Sequence, residues 1–223
     1  ATALAMLGTV ETLLDVPLAR RHLDDASAVL ARTLGPTHEL TIAALSNRGL
    51  LDRTAGDLVA AEQAFSTALA RLSTAEAPDP LALATLHHNE ATALIDLDRD
   101  ADAVEHLEHT LALRRSVGVD TTQLAMTLTV LGGALWRIGR VDEAREALER
   151  ALATEPDVDD PNNRAVRRYF LAGSLAGSDR PRALRLLADA IRLLEGEPDR
   201  DLGLLAECRA LAGRLRDEDR STP

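Results

Sequence analysis

A residue pattern returns every 39 to 42 positions along the chain, and no other feature constrains the fold as strongly. Residues 44–72, 86–114, 128–156 and a shorter 170–198 carry it, and a more degenerate copy occupies 4–32. Each copy has a small residue in a first apolar segment and a small, large, small ladder in a second. Gly49 followed by Ala61, Phe65 and Ala68 is the clearest case. A unit of this size cannot bury its apolar face alone, so the copies must stack on one another as a solenoid. Such an array offers an extended binding surface rather than a closed catalytic pocket.

The apolar positions fall at helical spacing, and no alternating run rich in Val and Ile reads as a strand. The pattern predicts an all-α fold: a right-handed superhelical solenoid of about five helix–turn–helix units plus a C-terminal capping helix. The units are expected at about 1–34, 38–74, 79–117, 120–155 and 161–196, with the capping helix at 199–216. The segment 217–223 lacks apolar residues and is expected to be disordered. In the second unit the first helix is expected from about Leu40 to Thr54. Gly56 then supplies a left-handed turn and Asp57 an N-cap for the second helix. Asp15 with Pro17, Asp98 with Asp100, Gly139, and Ser178-Asp179 with Pro181 are the equivalent punctuation. Leu34 to His38, Ala77 to Pro80, Val117 to Asp120 and Pro156 to Pro161 break the helices between units.

The ladder resembles the tetratricopeptide repeat (TPR) signature. Its positions recur as Ala91, Ala103 and Leu107, with Thr110 departing from the last small position. They return as Gly132, Ala144, Leu148 and Ala151 closed by Pro156, and as Ala183, Leu187 and Ala190 closed by Pro198. Ala19, Leu23 and Ala26 fit if the first turn is one residue shorter. The long period, the loop Leu34-Gly35-Pro36-Thr37-His38, Ser46-Asn47 and His88-Asn89 are similar to the longer variant of kinesin light chains and many bacterial regulators. The resemblance implies a non-catalytic module that binds a protein or peptide. We expect it to be the sensor or partner-docking region of a larger bacterial signalling regulator; a stand-alone peptide receptor or adaptor is the alternative. An enzyme with a helical toroid fold is the third reading.

In TPR arrays the first helix of each unit lines the concave groove. That register nominates Ser46, Asn47, Leu50 and Arg53 in the second unit, and His88, Asn89, Thr92 and Asp96 in the third. The fourth unit contributes Thr129, Val130, Gly133, Trp136 and Arg137. An Asn amide both donates and accepts, so Asn47 and Asn89 could hold a peptide backbone without reading its side chains. Arg53, His88 and Arg137 would then favour an acidic ligand. Trp136 reads as structural filling near a turn or as an aromatic anchor. In the fifth unit Arg164, Arg167, Arg168, Arg180, Arg182 and Arg185 form either a solvated surface neutralised by nearby carboxylates or a docking patch. Such a patch would suit an acidic partner or a second copy of the domain.

Composition bounds the rest. The formal net charge is −11, which argues against a nucleic-acid partner. The basic residues are all Arg. The lone cysteine, Cys208, can form no intrachain disulfide and reads as a buried small hydrophobe. No run approaches the roughly 18 apolar residues of a membrane span, and no signal peptide is recognisable, so a cytoplasmic location is expected. The chain starts without Met and reads as part of a longer protein, whose other domains would be further partners. Neither a cofactor nor a metal is expected. His87 and His88 point to different helix faces, and His106 and His109 lack further converging ligands. No phosphate loop or nucleophile elbow appears.

Overall fold

A computed structural model describes residues 16–118, 121–155 and 159–220. The described residues form ten helices and no strand. In chain order they are α1 (Val16–Thr33), α2 (Glu39–Thr54), α3 (Leu58–Ser73), α4 (Pro80–Asp96) and α5 (Asp100–Val117), then α6 (Thr121–Arg137), α7 (Val141–Ala153), α8 (Pro161–Leu175), α9 (Arg180–Glu195) and α10 (Leu202–Arg220). The predicted first helix, Asp15 and the closing Pro156 lie outside the described residues. The capping helix starts later than expected and continues to Arg220, beyond the Arg216 at which it was expected to end.

The helices end where the local chemistry requires. Gly56 takes φ +82 and Asp57 caps α3 by accepting a hydrogen bond from the Ala60 N–H. Asp79 caps α4 ahead of Pro80, Asp160 caps α8 ahead of Pro161, and Asp179 caps α9 ahead of Pro181. Pro fits these first turns because the N–H it lacks has no helical partner there. The turn before α5 differs from the expectation. Asp98 itself adopts the left-handed conformation, with φ 58, and Arg99 stands at the N-cap without a side-chain cap. His38 caps α2, its Nδ1 accepting from the Leu40 N–H at 3.2 Å.

The chain divides into two compact units, residues 1–118 and 119–223. In the first, α1 packs on α2, α2 on α3, α3 on α4 and α4 on α5. In the second, α6 packs on α7 and α8, α7 on α8, α8 on α9, and α9 on α10. The ladder residues build both cores. Ala61, Phe65 and Ala68 are fully buried, as are Ala103 and Leu107, Ala144, Leu148 and Ala151, and Ala183, Leu187 and Ala190. Phe65 packs with Ala61 against Ala93 of the next hairpin, which is the role its register predicts. A Cβ on Gly49 would stand 2.6 Å from the Phe65 ring, so any side chain there would have to displace the ring. Gly132 is likewise pressed against Leu148. Thr110, the departure from the small pattern, is buried but donates its hydroxyl hydrogen to the His106 carbonyl at 2.9 Å. Cys208 is buried, and burial pushes its thiol up to about 11.

Candidate functional site

Helices α2 and α4 open successive hairpins, and their contacts keep one sequence offset. Arg53 Nε donates to Asp96 Oδ2 at 2.5 Å, and Asn89 Nδ2 lies 3.5 Å from Ser46 Oγ, both across 43 positions. A constant offset means that the two helices run in the same direction. Nearer their N-termini, Ile42 and Leu86 join one apolar cluster with Ala68 and Leu72 of α3. The C-terminal ends are thus tied by charge and the middle by a long polar contact.

The N-terminal halves enclose a cavity of about 450 Å³. Ile42, Leu72, Leu86 and Ala82 line it with apolar surface. Ser46, Asn47 and Thr85 bring polar groups to it, and the loops before the two helices contribute Thr37 and Asp79. Leu72 and Leu86 are buried, whereas Ser46 and Asn47 are half-exposed and Thr85 is exposed. The Thr85 hydroxyl donates to the Leu81 carbonyl at 2.9 Å, which leaves its lone pairs toward solvent. The pit therefore combines an apolar base with a few hydrogen-bonding groups, the usual make-up of a site that seats a ligand group.

The groove residues predicted from the sequence separate into two sets. Ser46 and Asn47 line the cavity. Asn89 is not among the residues that line it, and its amide lies 3.5 Å from Ser46 Oγ. Thr92 donates its hydroxyl hydrogen to the Asn89 carbonyl of its own helix at 2.8 Å. Arg53 is committed to Asp96. Burial, with Arg114 and Arg53 adding to it, lowers His88 to about 4, so it is neutral at neutral pH. Arg137 lies in the second unit and has its own partner. The cations that motivated an acidic ligand are thus paired or uncharged in this fold.

In the second unit Thr129 is buried, and its hydroxyl accepts from Arg167 Nε at 3.0 Å; it is not a groove residue. Trp136 packs on Tyr169 and Phe170 of α8, with ring centroids 6.1 and 5.9 Å away. A Cβ on Gly173 would reach within 2.8 Å of its indole, which accounts for the small residue there. Trp136 is half-exposed and fills space between helices, as the structural reading of it expects.

Much of the arginine patch is engaged in ion pairs, in line with the reading in which nearby carboxylates neutralise it. Arg167 is 0% exposed, with NH1 2.6 Å from Glu155 and NH2 2.9 Å from Asp159. Arg164 and Arg168 also converge on Glu155, at 2.8 and 2.7 Å. Burial alone would raise the Glu155 carboxyl, but hydrogen bonds from Arg168, Arg164 and Arg167 hold it down at about 2. Arg182 pairs with Glu149 at 2.7 Å, and Arg180 has a partner as well. Arg185 remains exposed. Arg164, Arg167 and Arg168 tie α8 to the preceding loop, and Arg182 ties α9 to α7.

A second cluster was not anticipated. His87 of α4 meets two histidines of α5: its Nδ1 is 3.1 Å from that of His106, and its ring stacks on His109 at 5.3 Å. Glu90 lies buried beside them, 3.5 Å from His106. Burial, then His106 and His109, lowers His87 to about 4. Burial, with Glu62 adding and Arg99 opposing, raises Glu90 to about 7. The i, i+3 spacing of His106 and His109 was visible in the sequence, but the helix packing that brings His87 to them was not. Among the described residues no group of three or more His, Cys, Asp or Glu could hold a metal ion, and no helix is long and apolar enough to cross a membrane.

Comparison with known proteins places these features in a wider group. The tetratricopeptide repeat family profile matches residues 1–74 and 82–154. No curated protein sequence matches the chain. Among solved structures, a kinesin-light-chain-like protein of Podosopora anserina with nearly identical TPR-like repeats aligns with TM-score 0.72 at 21% identity, over 87% of this chain and 94% of that one. BtubC (BKLC) of P. vanneervenii aligns with TM-score 0.67 at 18% identity, over 95% and 93%. YrrB, a TPR protein with an unusual peptide-binding site, aligns with TM-score 0.61 at 19% identity, over 92% and 88%. At these identities the likeness is one of fold, an all-α repeat solenoid.

Proposed function

We propose that this chain, which belongs to the tetratricopeptide repeat family, is a non-catalytic module that binds an extended segment of a partner protein in the cleft between α2 and α4. The observation that carries this reading is the cavity of about 450 Å³ with Ile42, Leu72 and Leu86 at its base and Ser46 and Asn47 on its wall. An apolar side chain of the ligand would displace water from the base. The Asn47 amide would donate to and accept from the ligand backbone, so affinity would depend little on the other side chains. The peptide-binding site named for YrrB is a parallel in a protein of like fold. We further place the chain as the partner-docking region of a larger cytoplasmic regulator in a bacterium. A kinase or nucleotide-binding domain in the same reading frame supports that placement, and a reading frame that encodes the repeats alone contradicts it.

Filling the cavity tests the main reading. Peptides selected from a displayed random library on the parent chain should bind with Kd of about 1–100 μM. Ala82→Trp, with its helicity checked by circular dichroism, should lose that binding. Equal binding by the parent and Ala82→Trp overturns the proposal.

A further inference from the structure

The rim of the α2–α4 cavity carries a charge that the apolar base does not explain. Glu39 and Asp79 both line it and both are exposed. Glu39 stands in the first turn of α2 and makes no ion pair among the described residues. Asp79 caps α4 through bonds from the Leu81 and Ala82 N–H groups, yet its carboxylate stays at the surface. No Arg or His is among the residues that line the cavity. The two helix N-termini at the rim each contribute about half a positive charge. That offsets the two carboxylates only in part and leaves about one negative charge. Of the arginines on α2, Arg48 is engaged with Asp52 at 2.7 Å and with Asp24, and Arg53 with Asp96; Arg71, beside Leu72 on α3, does not line the cavity.

We infer that the cleft selects a cationic peptide, with an apolar side chain seated among Ile42, Leu72 and Leu86 and an Arg or Lys side chain beside Glu39 and Asp79. This rests on the reading of the cleft as a peptide site and adds the chemistry of its occupant. The net charge of −11 acts in the same direction, because the long-range field of the chain attracts cations and repels anions. The rim is solvated, so the preference is moderate and is screened by salt.

The test uses the whole chain and two pools of acetylated, amidated heptapeptides. Both pools have a central Leu and random Gly, Ser, Ala or Thr elsewhere; one has Arg on each side of the Leu, the other Glu. Fluorescence anisotropy should show the Arg pool binding about tenfold more tightly at low salt. That advantage should shrink as salt rises from about 50 mM to about 500 mM. Glu39→Lys should erase it. Asn47→Ala should weaken the Arg and Glu pools by a similar factor of about five. Equal binding of the two pools, or a Glu advantage, with Asn47→Ala still weakening both, overturns the cationic occupant and leaves the peptide cleft standing. Binding indifferent to Asn47→Ala overturns the cleft itself. No binding of the Arg pool up to about 1 mM overturns the cationic occupant too.

Discussion

At Gly49 the lack of a side chain is what lets the Phe65 ring fill the space between hairpins. An added Cβ would sit 2.6 Å from that ring. Ala at this helical position gains about 1 kcal/mol of propensity over Gly, while overpacking costs roughly 1–3 kcal/mol. The clash outweighs propensity or cancels it, so Gly49→Ala should be neutral to about 2 kcal/mol destabilising. Phe65→Ala alone should cost roughly 3–5 kcal/mol. The two substitutions share one contact and should not add. With Ala at 65, the Gly49→Ala change should become stabilising by several tenths of a kcal/mol or more. Urea unfolding of the four proteins checks this sign reversal. Arg167 is the second residue of note. It is fully buried, and truncating one partner of a buried ion pair leaves an uncompensated charge. Arg167→Ala should therefore cost about 3–5 kcal/mol, whereas removal of the exposed Arg185 should change the melting temperature little. Equal small effects at both positions would contradict the network. The pairing of Arg167 was only half legible in the sequence. Its charge was plain, but its burial depends on Thr129, Glu155 and Asp159 from other segments.

Among the elements, the α4–α5 hairpin carries the pH response. His87 and His88 have folded values near 4 against 6.5 when free. Between those values the folded chain binds fewer protons than the unfolded chain, so stability is full above pH 6.5 and falls as pH drops toward 4. Glu90 works the other way. Its folded value near 7, against 4.5, gives a contribution that is full below 4.5 and is lost as pH rises toward 7. Glu155, held near 2, contributes stability above 4.5 that is lost as pH falls toward 2. The histidines outnumber Glu90, so the melting temperature should fall from pH 7 to pH 4.5. His87→Asn should reduce that fall. Glu90→Gln should enlarge it, because it removes the opposing contribution. Thermal melts across this range decide the point, and a fall unchanged by both substitutions would contradict it. The helix limits at Gly56-Asp57, Asp79-Pro80 and Asp179-Pro181 were legible because these residues act through local geometry, whereas the start of α5 and both ends of α10 were not. The His87 cluster escaped because a single helix pattern does not encode the register between two helices.

For the whole molecule, the repeat established the fold class, and the ladder marked the buried residues, because each repeat buries its core against an adjoining one. The site was less legible. Ser46 and Asn47, nominated by the register of the TPR resemblance, line the cavity. The apolar base and the acidic rim were missed. The base joins Ile42 of α2, Leu72 of α3 and Leu86 of α4, and the rim joins Glu39 of α2 with Asp79 before α4, a convergence that no single helix pattern records. Charge was open in the sequence for the same reason: Arg164 and Arg168 could be neutralised or free, and the fold pairs both with Glu155, as it pairs Arg53 with Asp96. The central claim is that a ligand sits between α2 and α4. Heteronuclear NMR of the chain titrated with a selected peptide tests it most directly. The predicted result is that the largest amide shifts fall on Ile42 to Asn47, Ala82 to Leu86 and the C-terminal turn of α3. Shifts confined to α8 and α9, with the α2–α4 amides unmoved, would contradict it.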